Sequence, residues 1–264
     1  MGAFCGEFTE RKLIMNRPDM SKYKILLMDA DNTLLDFTKA EAQALAEVFI
    51  KYNVCKEDML PVVISRFSEI NDALWKRLEK KEVTREYIIA NRFKDTFEFF
   101  GIYYSAEMGI EEEYFNSLSF QYPLIEGAEA VCRALSENYD LYIIPHGTKK
   151  IQDSRMAGCG LLPYFKGVFI SQELGVNKPA KEYFDKVFEA VTKLSGPFDK
   201  SEVLVVGDSV SSDIKGAVNA ELDGCWYNPA GKALPKNFDE LAERSELSGR
   251  KLYEISRLEE LLAK

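Results

Sequence analysis

Five short apolar runs set the limits on what this chain can fold into. They are KILLMD (24–29), LYIIP (141–145), GVFIS (167–171), VLVVGD (203–208) and CWYNP (225–229). Each is too short for a helix, and their apolar residues are largely consecutive rather than alternating. Runs of that kind are strands buried on both faces, the pattern of a parallel sheet sandwiched between helices. Amphipathic segments separate the last four runs. That strand–helix alternation predicts an α/β fold, a Rossmann-like three-layer core with a parallel sheet.

The stretch from about Thr38 to Phe120 breaks the rhythm, because it holds no convincing strand. Val63, Phe67, Ile70, Leu74 and Leu78 recur at steps of three and four, which is one helical stripe. Thr84 is placed to cap a helix that ends near Phe100, with Gly101 just beyond it. Residues 105–119 read as a further helix. The expected organisation is an extension over 1–20, a sheet-bearing core over 21–37 and 121–264, and an inserted α-helical bundle domain over 38–120.

Composition narrows the class of protein. With 46% hydrophobic residues in 264, the chain can bury a sizeable core, so general disorder is excluded. A net charge of −9 repels nucleic acid. It also repels a phosphorylated substrate, which would need a local cation. No stretch approaches the ~18 apolar residues of a membrane span. The opening MGAFCGEFTERKLIMNRPDM lacks the apolar centre of a signal peptide, and Gly6 stands where a myristoylation signal wants Ser or Thr. The five cysteines, Cys5, Cys55, Cys132, Cys159 and Cys225, are odd in number and form no Cys-x-x-Cys pair. Free thiols in a reducing, cytoplasmic setting are expected, and scattered thiols with one histidine argue against zinc.

Open parallel sheets bind ligands at the carboxyl ends of their strands. The first run ends in Asp29-Ala30-Asp31-Asn32-Thr33. The fourth ends in Gly207-Asp208, with Asp213 five residues on. Carboxylates converging on one sheet edge repel each other unless a hard cation neutralises them, and Mg²⁺ suits one or two carboxylates plus phosphate oxygens. Lys178, in Gly-Val-Asn-Lys-Pro, adds a basic residue at a strand-end loop.

In that order DADNT, the strand-end HGT, the lysine of VNKP and GDSVSSD resemble the four motifs of the haloacid dehalogenase superfamily. The helical insert resembles the cap of its phosphatases. NDALWKRLEKKEVTREYIIANRF (71–93) and DGCWYNP (223–229) resemble the nucleoside 5′-monophosphate phosphatase branch, the pyrimidine 5′-nucleotidases. The resemblance implies a Mg²⁺-dependent phosphomonoester hydrolase acting on a small phosphorylated metabolite, a nucleotide by preference, as a monomer or homodimer. Asp29 would be the nucleophile. Asp31 would be the acid and base, with its main-chain carbonyl on the metal. Asp208 would be a metal ligand, Lys178 would neutralise charge, and Asp213 would orient them from behind. Thr33, His146 and Gly147 would hold the phosphate loop. The cap would close over the site and read the base through Asn71, Trp75 and Arg92. Asp31 also argues for phosphate esters over haloacids, because a halide leaving group needs no proton.

Three positions depart from the family pattern. Pro145-His146 replaces the usual Thr or Ser followed by Asn, which removes a hydroxyl and a backbone N–H. Glu221 stands where relatives often have Gly, and Cys159 where the pattern is small and polar. The departure at Pro145 leaves open a crippled binding or regulatory protein. A sugar-phosphate phosphatase or phosphomutase stays open as well.

Overall fold

The computed structural model describes residues 17–235 and 238–262. Cys5 and most of the extension assigned to 1–20 lie outside the described residues. Six strands form one sheet: β1 Ile25–Met28, β2 Asp140–Ile143, β3 Gly167–Val168, β4 Val203–Gly207, β5 Asp223–Tyr227 and β6 Leu252–Ile255. The helices are α1 Phe37–Lys51, α2 Leu60–Glu79, α3 Arg85–Phe100, α4 Ile110–Ser119, α5 Ala128–Ser136, α6 Lys149–Gly158, α7 Ser171–Leu174, α8 Lys181–Ser195, α9 Lys215–Ala220 and α10 Phe238–Leu247. None of these helices is long and apolar enough to cross a membrane.

The strand order is β3-β2-β1-β4-β5-β6, and every pairing is parallel. This is the doubly wound order, whose switch point falls between β1 and β4. All residues of β1 and β4 are buried, as their unbroken apolar runs predict. Ile25, Leu27, Val203 and Val205 pack on Tyr183, Phe184, Val187 and Val191 of α8. Leu26 and Met28 alternate with them and face the opposite layer. Glu221 ends α9 with φ 59, a left-handed conformation that explains why glycine suits this position.

The sequence reading missed β6. Among the described residues its LYEI pairs only with β5, and the flanking Arg250, Lys251 and Ser256 hide so short an edge strand. The helix expected over 105–119 is split. Gly109 takes φ 71 and separates a short 3₁₀ turn, Ala106–Met108, from α4.

Contacts divide the chain into two compact units. The sheet unit takes the segment ending at Leu34, Glu126–His146 and the chain from Pro163. The helical unit takes Leu35–Ile125 and also Gly147–Leu162, which carries α6. Within the helical unit Phe49, Phe67, Phe93, Phe97 and Tyr114 form an aromatic core, with Phe67 and Phe93 rings 4.6 Å apart. Thr84 accepts the Tyr87 N–H at 3.2 Å, and Gly101 closes α3 at φ 66, as their residue types demand.

The α2 stripe is not wholly apolar. Val63, Phe67 and Leu74 are buried, but the fourth buried residue is Asn71. Asn71 donates to Glu41 Oε1 at 2.8 Å and accepts from Arg92 Nη1 at 3.3 Å and from Trp75 Nε1 at 3.1 Å. Ser68 donates to the other Glu41 oxygen at 2.5 Å. Arg92, only 3% exposed, forms a two-nitrogen ion pair with Glu111. Burial pushes the Glu41 carboxyl up despite these donors. Removing the guanidinium strands Glu111 inside the unit, and breaking a buried pair from one side costs about 3–5 kcal/mol. Arg92→Ala is therefore expected to lower the unfolding free energy by about 3 kcal/mol in a urea titration. A loss below about 1 kcal/mol would mean the pair behaves as a surface one.

Candidate active site

The sheet's switch point brings the chemistry together. Asp29 follows β1 and Asp208 follows β4, and these neighbouring strands are in register up to Met28 against Val206. The Asp29 N–H continues the ladder by donating to Val206 O at 2.8 Å. Beyond Asp29 the chain turns sharply, with the Leu34 N–H on Ala30 O at 2.9 Å. Asn32 takes φ 60 there, a left-handed conformation that Asn tolerates better than most residues. The turn buries Thr33, whose Oγ1 accepts the Asp208 N–H at 3.1 Å and lies 3.5 Å from Asp29 Oδ2. Thr33 thus ties the two strand-end loops to each other.

Lys178 lies between two carboxylates. Its Nζ donates to Asp29 Oδ1 at 2.7 Å and to Asp213 Oδ1 at 2.6 Å. The lysine is wholly buried, and Asp29 and Asp213 are nearly so. Burial opposes the ammonium, yet Asp213 and Asp29 outweigh it and hold Lys178 above the ordinary lysine range. It is a fixed cation and not a base. The other Asp213 oxygen, Oδ2, accepts the Ser209 N–H at 3.1 Å. Asp213 therefore has both oxygens engaged. Gly207 makes room for it, since a Cβ there would collide with the Asp213 carboxylate.

Asp29, Asp208 and Asp213 present carboxylate oxygens within 4.8 Å of one another. Three carboxylates thus face one lysine. Burial pushes Asp29 up, only partly offset by Lys178, with Asp213 and Asp208 adding to the rise. Asp208 is pushed up to about 7 by burial first and by Asp213 next. An all-oxygen cluster with surplus negative charge fits a hard divalent cation. Asp31 is half-buried in the turn, and its charge adds to the rise at Asp208.

His146 follows β2 with its ring Nε2 2.5 Å from Ser212 Oγ, and Gly147 takes φ 107, open only to glycine. Asn71, Trp75 and Arg92 lie together in the helical unit, in the network described above. Asn71 and Arg92 are buried there and Trp75 is half-buried. Sequence reasoning missed Trp226, whose Nε1 donates to Asp208 O at 2.8 Å and braces that loop from β5. It also missed Ser209, Ser212, Glu41 and Glu111. Only the strand order signals the Trp226 contact, because Trp226 stands opposite Gly207.

Gly207→Ala tests how tightly Asp213 is held. Overpacking at a filled site is expected to lower stability by about 1–3 kcal/mol in denaturant melts. A neutral result would mean that Asp213 swings aside freely.

The family model of haloacid dehalogenase-like hydrolases matches residues 23–221. The HAD-hydrolase YfnB of Bacillus subtilis is 36% identical over 244 residues, covering 92% of this chain and 95% of its own length. Pyrimidine 5′-nucleotidase PynA of Streptococcus pneumoniae is 36% identical, covering 78% of this chain and 84% of its own. Pyrimidine 5′-nucleotidase YjjG of Escherichia coli is 31% identical, covering 81% and 90%. The magnesium-bound crystal structure of YfnB superposes with a TM-score of 0.77 at 34% identity, over 91% of this chain and 97% of that one. The strand-end carboxylates, the buried lysine and these likenesses agree: the chain belongs to the haloacid dehalogenase-like hydrolases.

Proposed function

We propose that this chain is a Mg²⁺-dependent phosphomonoester hydrolase that cleaves nucleoside 5′-monophosphates by way of an aspartyl-phosphate. The observation that carries this reading is the buried Asp29–Lys178–Asp213 arrangement beside Asp208, with a second carboxylate, Asp31, two residues past the nucleophile. The names of PynA and YjjG support the substrate class.

Asp29 attacks phosphorus, an Asp29 oxygen–phosphorus bond forms, and the bond to the leaving alkoxide breaks. Oδ1 is held by Lys178, which leaves Oδ2 to attack. Lys178 stays charged throughout and stabilises the transferring phosphoryl group. Asp31 gives its proton to the leaving oxygen. It then takes one from the water that attacks the aspartyl-phosphate, so that phosphate leaves and Asp29 is restored. Asp213 fixes the lysine, and Thr33 fixes the spacing of Asp29 from the Asp208 loop. Asp29, Asp208 and the main-chain carbonyl of Asp31 would hold Mg²⁺, which supplies charge neutralisation between nucleophile and phosphate. Of the three cap residues expected to read the base, Trp75 is our proposed reader, because it is half-buried and keeps ring surface for stacking, whereas Asn71 and Arg92 are buried among Glu41 and Glu111.

A panel of nucleotides and sugar phosphates with Mg²⁺ tests the reading. Phosphate release should be greatest from nucleoside 5′-monophosphates and should stop with chelator. Asp29→Asn should lose roughly three orders of magnitude or more. Asp31→Asn should lose ~10²–10⁴-fold with an alkyl leaving group. The first-turnover burst of p-nitrophenol from p-nitrophenyl phosphate should lose much less, because that leaving group needs no proton, while the later hydrolysis of the aspartyl-phosphate stays slow. No release from any member would overturn the proposal.

Cation binding should also depend on pH. Asp208 is raised to about 7 in the folded chain, chiefly by burial. Its contribution to the stability of the metal-free protein is present at low pH and lost as pH rises through about 7. A cation must displace that proton, so its affinity should fall roughly tenfold per pH unit below about 7. Mg²⁺ should therefore raise the melting temperature more at pH 8 than at pH 6. An equal shift at both would show that Asp208 does not bind it.

A further inference from the structure

The mechanism gives the single histidine nothing to do. His146 is the last residue of the sheet unit before the chain passes to Gly147. It is half-buried, and the residue before it, Pro145, has neither a hydroxyl nor an N–H to offer a neighbour. The ring bonds elsewhere, and its Nε2 is 2.5 Å from the hydroxyl of Ser212, a residue only 1% exposed.

Ser212 belongs to the loop that follows β4. Its N–H donates to Ser209 Oγ at 3.2 Å, and the Ser209 N–H donates to Asp213 Oδ2 at 3.1 Å. Asp213 Oδ1 accepts from Lys178, and Lys178 also donates to Asp29. An unbroken chain of contacts therefore runs from the imidazole to the nucleophile. It joins the ends of β2 and β4, which lie on either side of β1.

The β4 loop needs such a brace. Val210–Ile214 is a π-turn, a wide and uncommon conformation that recurs at functional sites. The segment carries Asp213, begins two residues after Asp208, and has a side chain held by His146 at its centre. The backbone of the loop is fixed at Asp208 by Thr33 and Trp226. The His146–Ser212 contact fixes its far end.

We infer that His146 is a positioning residue. Through Ser212 it holds the 208–213 loop, and so the placement of Asp208 and Asp213, without touching substrate. The inference rests on the hydrolase reading for its effect on rate. Its effect on cation binding is measurable with no turnover at all.

The experiment compares His146→Ala, Ser212→Ala, the double variant, and two variants that keep a polar partner, His146→Gln and Ser212→Thr. Two quantities are read: kcat and KM on the best substrate, and Mg²⁺ affinity by calorimetry on chain shown folded by its melt. Each alanine variant should lower kcat by ~10-fold and weaken Mg²⁺ by a similar factor, as for one hydrogen bond of about 1–1.5 kcal/mol, with KM little changed. The double variant should be no worse than either single one, and Gln and Thr should recover most of the loss. Additive losses would overturn the inference. So would a rise in KM on His146→Ala with Ser212→Ala silent, which would put the ring on substrate. No change in Mg²⁺ affinity or rate would overturn it as an idle side chain. If the native chain hydrolyses nothing, the functional proposal fails and the calorimetric comparison still decides the role of His146.

Discussion

One ammonium group organises the active end of this molecule. Lys178 is wholly buried, and an unpaired buried charge would cost several kcal/mol. It is tolerable only because Asp29 and Asp213 both reach it, at 2.7 Å and 2.6 Å. Those partners come from different parts of the chain: the end of β1, and the turn after β4. The lysine itself precedes α8. A single charge balance therefore draws three separate segments to the switch point of the sheet. It also explains the glycine at 207, since only a residue without a side chain lets Asp213 fold back onto the lysine.

The strand order and the charge balance require each other. Placing β1 beside β4 sets Asp29 and Asp208 on adjacent strand ends. Polar contacts then stitch those ends together across the ladder: Thr33 to the Asp208 N–H, Trp226 to the Asp208 carbonyl, His146 to Ser212. Each uses a side chain from a different strand end, so the loop carrying Asp208 is gripped from β1, β5 and β2 at once. Preorganisation of this kind lets the functional groups avoid rearranging during reaction.

Much of this was legible in the residues, for physical reasons. Strands β1 and β4 are covered on both faces, so their sequences are short unbroken apolar runs. The positions of the candidate residues Asp29 and Asp208 were legible because they stand at the ends of those runs. What failed to show is whatever depends on a neighbour distant in sequence. Strand β6 pairs on one side only and its four residues carry a charged flank. The resemblance casts Asn71 as a substrate reader, yet it faces inward, where Glu41 and Arg92 meet it. Glu41 reads as an ordinary helix carboxylate beside Ala40 and Ala44, and only the packing of α2 on α1 reveals it as buried. The Trp226 and His146 contacts depend on strand order, which no local pattern states.

The site holds more negative charge than its own chain can balance. Lys178 bonds Asp29 and Asp213, Lys232 and Lys178 only partly offset the rise at Asp208, and burial raises the carboxyls of Asp29 and Asp208. In a chain already at −9, such a cluster works against the folded state above neutral pH. It has two ways out: a proton kept on Asp208, or a cation brought in. The second would remove the proton and the repulsion together, because a divalent cation with Lys178 balances three carboxylates. The backbone of the loop that carries Asp208 is held apart from these charges, by Thr33 at the Asp208 N–H and by Trp226 at its carbonyl.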